Sequence, residues 1–164
     1  LNGKIWCESV EDKGTSLLFT IELNKCEIPF EEINDNFYEK IKFNGEHILI
    51  AEDNDLNYMY LEEVFDDYNV KITRTQTGNQ TVDQVMKNPD IKIILMDIHL
   101  PEINGWEATR KIRSKGINIP IIAQTAYAFE SDRQESLNAG CNEYVAKPTE
   151  PEKLIELVYK YLNK

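Results

Sequence analysis

Five side chains in this sequence are of the types that phosphoryl chemistry uses, and each closes an apolar run. Glu52 and Asp53 end ILIAED, Asp97 ends ILMD, Thr125 ends IIAQT and Lys147 ends YVAK. Several carboxylates close together repel one another and take up protons unless a cation intervenes. Oxygen ligands of that kind suit Mg²⁺, which keeps much of its water and is held by few carboxylates. A metal can bring a phosphoryl oxygen up to a carboxylate nucleophile. A lysine then supplies positive charge, and a threonine a hydroxyl donor.

These residues meet only if the elements that carry them are arranged to bring them together. Residues 46–164 alternate between short apolar runs and helical spacings. The runs 47–52, 69–75, 91–97, 117–125 and 141–147 read as strands, with Pro120 near the start of the fourth. The stretches 55–68, 77–88, 105–116, 131–140 and 151–164 read as helices. Gly116 and Gly140 close two of the helices, and Pro151 stands at the first turn of the last. Asp55 reads as a helix cap. The continuous apolar run before Asp97 is what a strand buried on both faces requires. Five strand–helix units in alternation predict an α/β fold, a doubly wound parallel sheet with helices on both faces. In such folds the functional crevice lies beyond the carboxyl ends of the strands, which is where the five side chains stand.

The totals narrow the function. The chain has 164 residues and a formal net charge of −11. It has no dense Lys/Arg cluster, so direct nucleic-acid binding is not expected. No apolar stretch is long enough to span a membrane, and no membrane contact is expected of this piece. Cys7, Cys26 and Cys141 are scattered, with no CxxC pair, which argues for a reducing compartment and against a zinc site. Leu1, not Met, stands first, as in a fragment of a longer chain.

Residues 46–164 resemble the receiver domain of two-component response regulators. The stretches that carry the resemblance are ILIAEDN, IILMDIHLPEINGWEATRKIR, IIAQTAYAF and AGCNEYVAKP. The resemblance implies a flavodoxin-like strand order 2-1-3-4-5. It makes Asp97 the phosphoacceptor, and Glu52, Asp53, Asp97 and the backbone carbonyl of His99 the ligands of Mg²⁺. Thr125 binds the phosphoryl group, Lys147 pairs with it, and Tyr144 is the aromatic that changes rotamer on activation. The Lys147–Pro148 peptide is expected cis. Glu52 in place of the commoner Asp, and Asn104 in place of the usual Asp before Gly105, are departures that remove no required group. His99 and Tyr127 occupy positions that modulate phosphoryl loss in the family. Neither is suited to orient an attacking water, so a fairly long-lived phosphoaspartate is expected.

Residues 1–24 differ from the rest. GKIWCESV and TSLLFTIEL flank EDKG and read as a hairpin. Gly3-Lys4-Ile5-Trp6, Glu8-Ser9, Gly14-Thr15-Ser16 and Phe19 resemble the last hairpin of a histidine-kinase ATPase domain. Residues 25–45 read as a linker, in which Phe30, Ile33, Phe37 and Ile41 have helical spacing. The joint resemblance implies the C-terminal end of a hybrid sensor histidine kinase. The nucleotide-binding boxes are absent and the only histidines are His47 and His99, so this piece has no kinase activity of its own. Expected partners are a histidine kinase core or a histidine phosphotransfer protein. A homodimer through the exposed hairpin stays open. The implied location is cytoplasmic, within a parent chain of a kind that can be membrane-anchored.

Two other functions draw on similar residues or the same fold. A haloacid-dehalogenase type of aspartyl-phosphate hydrolase carries a second acid two residues after its nucleophile, where this chain has His99. A non-phosphorylated interaction module on the same fold would need none of the acid–Thr–Lys set.

Overall fold

The computed structural model describes residues 3–10, 14–21, 41–126 and 129–163. Phe30, Ile33 and Phe37 of the expected linker therefore lie outside the described residues, as do Cys26, Tyr127 and the turn of the hairpin. The chain divides into two units, Leu1–Asn34 and Asp35–Lys164.

In the first unit, β1 (Gly3–Val10) pairs antiparallel with β2 (Gly14–Ile21), in register from Gly3 opposite Ile21 to Val10 opposite Gly14. Alternation along the pleat gathers Ile5, Cys7, Leu17 and Phe19 on one side.

The second unit is built on five strands and five helices in strict alternation. In chain order they are β3 (Glu46–Ala51), α1 (Asp55–Asp66), β4 (Val70–Thr75), α2 (Gly78–Lys87), β5 (Ile91–Asp97) and α3 (Gly105–Ser114). Then follow β6 (Ile121–Thr125), α4 (Glu130–Ala139), β7 (Glu143–Ala146) and α5 (Pro151–Leu162). The strands form one parallel sheet in the order β4-β3-β5-β6-β7. That is the expected 2-1-3-4-5 order, and the expected hairpin is also present.

Side-chain alternation gives the sheet two apolar faces. On one, Ile48, Ile50, Ile93, Leu95, Ile122 and Val145 meet Leu61 and Phe65 of α1 and Leu154 and Val158 of α5. On the other, Leu49, Ala51, Ile94, Met96, Ile121 and Ala123 meet Val85 of α2 and Ala108 and Ile112 of α3. The register slips at the start of β5, where His47 pairs with Ile91 but Ile48 with Ile93. This bulge leaves Lys92 exposed and lets Ile91 and Ile93 serve opposite faces.

The helix starts are capped from the strand-end loops. Asn54, not Asp55, caps α1: its side chain accepts from the N–H groups of Leu56 and Asn57. Asp55 is instead the first helical residue, where its charge suits the helix N-terminus. Asn104 caps α3 through Glu107 N–H, so the departure from Asp costs no cap.

The core begins before the first strand of the sheet. Ile41 and Phe43 are buried in the α1–α5 face, 5% exposed each. Phe43 makes edge contacts with Phe65, Tyr68 and Tyr159, ring centroids 6.4, 5.4 and 5.9 Å apart.

Candidate functional site

The carboxyl ends of β3, β5, β6 and β7 share one edge, and the backbone ladder extends past the strand ends at Glu52, Asp97 and Lys147. Glu52 N–H donates to Thr75 C=O at 2.9 Å, one step past β3. Ile98 N–H donates to Gln124 C=O at 3.1 Å, just after Asp97. Lys147 N–H donates to Thr125 C=O at 2.6 Å. The chain turns immediately afterwards through the Lys147–Pro148 peptide, which is cis as the resemblance implies.

The side chains converge. Lys147 Nζ stands 2.5 Å from Glu52 Oε2 and 2.8 Å from Asp97 Oδ2. Both carboxylates are buried, Glu52 with 1% of its side chain exposed. Their remaining oxygens are also held. Glu52 Oε1 accepts from Asn54 N–H at 3.2 Å and from Asn57 Nδ2 at 3.0 Å. Asp97 Oδ1 accepts from His99 N–H at 2.9 Å. Asp53 is exposed beside them, and one ligand oxygen from each of Glu52, Asp53 and Asp97 lies within 4.8 Å of the others.

Charge tests whether a divalent ion fits. Three carboxylates and one ammonium leave a formal surplus of two negative charges at one sheet edge, two of the acids being buried. A hard divalent cation matches both the surplus and the all-oxygen donor set.

The other expected residues also have their places. Thr125 is fully buried at the end of β6, the neighbour of β5. Tyr144 is half-buried on β7 and packs against the α2–α3 face of the core. The His99 side chain is exposed in the loop after β5. That loop is pinned to the start of α2: Thr77 Oγ1 and Asn79 Nδ2 donate to Glu102 Oε2 at 3.1 and 2.9 Å, with Glu102 in the left-handed region at φ 68°.

Beside the site a cavity of about 340 Å³ opens between α1 and the 147–149 loop, lined by Asn57, Tyr60, Leu61, Lys147 and Pro148 among others. Tyr60 O–H donates across it to Thr149 C=O at 2.5 Å. Burial, then Glu152 and Glu150, push the Tyr60 phenol up, so it stays a donor.

Sequence reasoning missed Asn57 and Arg74, which hold the acid pair. Asn57 lies in the first turn of α1, where an amide has no periodic signal. Arg74 shares its strand-like run with a second long cation, Lys71, and the pattern does not distinguish the two.

A family model for the response regulator receiver domain matches residues 48–159. The chain is 34% identical over 156 residues to the autoinducer 2 sensor kinase/phosphatase LuxQ of Vibrio vulnificus, an alignment that takes in 94% of this chain but 18% of that protein. It is 34% identical over 119 residues to the polar-differentiation response regulator DivK of Brucella ovis, 71% of this chain and 95% of that one. Among solved structures, the receiver domain of a Pseudomonas aeruginosa sensor histidine kinase, with a magnesium ion coordinated in its active-site cleft, superposes with a TM-score of 0.68 at 35% identity. It covers 74% of this chain and all of that one. The receiver domain of Saccharomyces cerevisiae Ssk1, solved with the histidine phosphotransfer protein Ypd1, gives a TM-score of 0.67 at 26% identity, over 73% and 90% of the two chains. No helix among the described residues is long and apolar enough to cross a membrane.

Proposed function

Because this chain belongs to the response regulator receiver domains of two-component signalling, we propose that Asp97 is its phosphoacceptor and that the edge around Asp97 performs the transfer. The observation that carries the reading is the position of Lys147 Nζ, in contact with Asp97 and Glu52 together. In the transfer an Asp97 carboxylate oxygen attacks phosphorus, the P–N bond to a donor imidazole breaks, and the imidazole leaves with the electron pair. Lys147, already beside Oδ2, pairs with the incoming negative charge. The Thr125 hydroxyl supplies a donor to the same group. Glu52, Asp53, Asp97 and the His99 carbonyl would hold Mg²⁺, which when bound offsets charge on the phosphoryl oxygens. The charge surplus and the magnesium in the Pseudomonas relative support that assignment.

The apolar side chains on α1 support a helical partner such as a histidine phosphotransfer protein. Leu56 and Met59 are 76% and 61% exposed on the helix whose Asn57 and Tyr60 line the cavity that Lys147 also lines. Rearrangement of Thr125 and Tyr144 on phosphorylation would remodel the surface of α4, β7 and α5. The chain spans 18% of the length of the LuxQ kinases it matches. Since that match takes in nearly all of the present chain, it supports a hybrid-kinase setting, with residues 1–24 closing an ATPase domain and 25–45 leading into the receiver.

The test is incubation with Mg²⁺ and acetyl phosphate followed by intact mass measurement. The expected result is a gain of one phosphoryl group in the wild-type chain and none in Asp97→Asn. A gain in both would overturn the assignment.

A further inference from the structure

Arg74 lies on β4, one strand out from the acid pair, and its guanidinium spans the loop that carries them. Nε donates to the carbonyl oxygen of Glu52 at 3.0 Å and Nη2 to that of Asp53 at 3.0 Å. Nη1 pairs with Asp55 Oδ1 at 2.8 Å. The Tyr58 ring lies against the group, 4.5 Å from centroid to Cζ. These bonds to the acid pair go to carbonyl oxygens, leaving the carboxylates to face the sheet edge.

We propose that Arg74 is a positioning residue for the divalent-cation site: it fixes the peptide backbone of Glu52 and Asp53 so that both carboxylates present their oxygens to one ion. The inference rests on the metal reading given above. The planar fork is what the geometry uses. Two donors on different nitrogens meet two successive carbonyls, which an ammonium on a flexible stem cannot reproduce. Without the fork the Glu52–Asn54 turn keeps the ladder bond from Glu52 N–H, the bonds of Asn54 N–H and Asn57 Nδ2 to Glu52 Oε1, and the Asn54 cap. None of these grips the Asp53 carbonyl. The positive charge acts in the opposite sense, since a fixed cation near the acids weakens the binding of another. Removing Arg74 therefore separates the two effects by sign.

The experiment is calorimetric titration of the 164-residue chain with MgCl₂, alongside thermal melting without metal. Arg74→Gln is expected to weaken Mg²⁺ binding about tenfold, the usual cost of removing a group that orients ligands. Arg74→Lys is expected to stay weak, because charge returns without the fork. Asp55→Asn, which removes only the third contact, should bind like wild type. So should Val64→Ala, a core change in α1 that lowers the melting temperature, which distinguishes positioning from stability. Affinity within about twofold of wild type in Arg74→Gln, or tighter binding, would overturn the proposal. So would recovery in Arg74→Lys. If Arg74→Gln does not fold, Arg74→Lys decides. A wild-type chain that binds no Mg²⁺ would instead overturn the metal assignment itself, together with this inference.

Discussion

Lys147 Nζ and Asp97 Oδ2 stand 2.8 Å apart across 50 residues of chain, and the same ammonium touches Glu52. Two buried acids thus share one cation that arrives from a different strand end.

Removing that cation leaves both acids uncompensated. Lys147→Met should destabilise the metal-free chain by about 3 kcal/mol, the usual cost of breaking a buried pair from one side. Mg²⁺ should restore more stability to this variant than to wild type, because the ion then meets the full acid charge. Phosphorylation by acetyl phosphate should nonetheless slow by at least about tenfold. Urea midpoints with and without MgCl₂, and the rate of mass gain, check these outcomes. Equal Mg²⁺ responses in the two chains would refute the shared-cation account.

At the opposite edge of the sheet His47 is 3% exposed, with Nε2 bonded to Thr73 Oγ1 at 2.8 Å and Nδ1 buried without a partner. Burial and then Lys71 push its imidazole down from 6.5, against a smaller upward pull from Asp90. Below 6.5 the unfolded chain binds a proton that the folded imidazole refuses. This contribution to stability is therefore complete above 6.5 and is lost as pH falls toward the folded value. His47→Gln should melt with a shallower pH dependence than wild type between about pH 7 and about pH 5. Parallel curves would show that the imidazole does not titrate differently on folding.

The buried position of Phe43 makes the domain boundary testable. Phe43→Ala should cost about 3 kcal/mol or more, as for other fully packed aromatics. A chain begun at residue 46, where the first strand of the sheet starts, should be destabilised further, since it also lacks Ile41. Denaturant unfolding of the two against the 164-residue chain measures this. Equal midpoints would show that the aromatic cluster adds nothing.

His99 tests the expected lifetime of the phosphoryl group. Its side chain is exposed and only its backbone N–H contacts Asp97. Substituting His99→Asn together with Tyr127→Glu should shorten the phosphoryl half-life, followed by the decay of the mass gain. An unchanged half-life would remove these positions as determinants.

The sheet edge was legible in the sequence because it follows from period. Apolar runs of six to nine residues marked the strands, and the last residues of four of them marked Glu52, Asp97, Thr125 and Lys147. Such reasoning locates side chains at an edge but does not choose their hydrogen-bond partners. The grip of Asn57 on Glu52 and of Arg74 on two carbonyls depends on how polar side chains cross between neighbouring elements, which no periodicity records. Phe43 was hidden for another reason. It precedes the first alternating run, so only the three rings around it reveal that the core extends that far. The bulge at Lys92 likewise leaves no pattern, since one inserted residue looks the same as a longer strand.

Gly105 opens α3 with its N–H on the Ile98 carbonyl at 2.9 Å, and a Cβ there would come within 2.2 Å of the Asp97 carbonyl oxygen. Both neighbours are main chain, so neither can swing aside. The start of the third helix is thereby held against the tip of the central strand with no room for a side chain between them. A side chain at this position would have to push the helix off the peptide unit that follows Asp97.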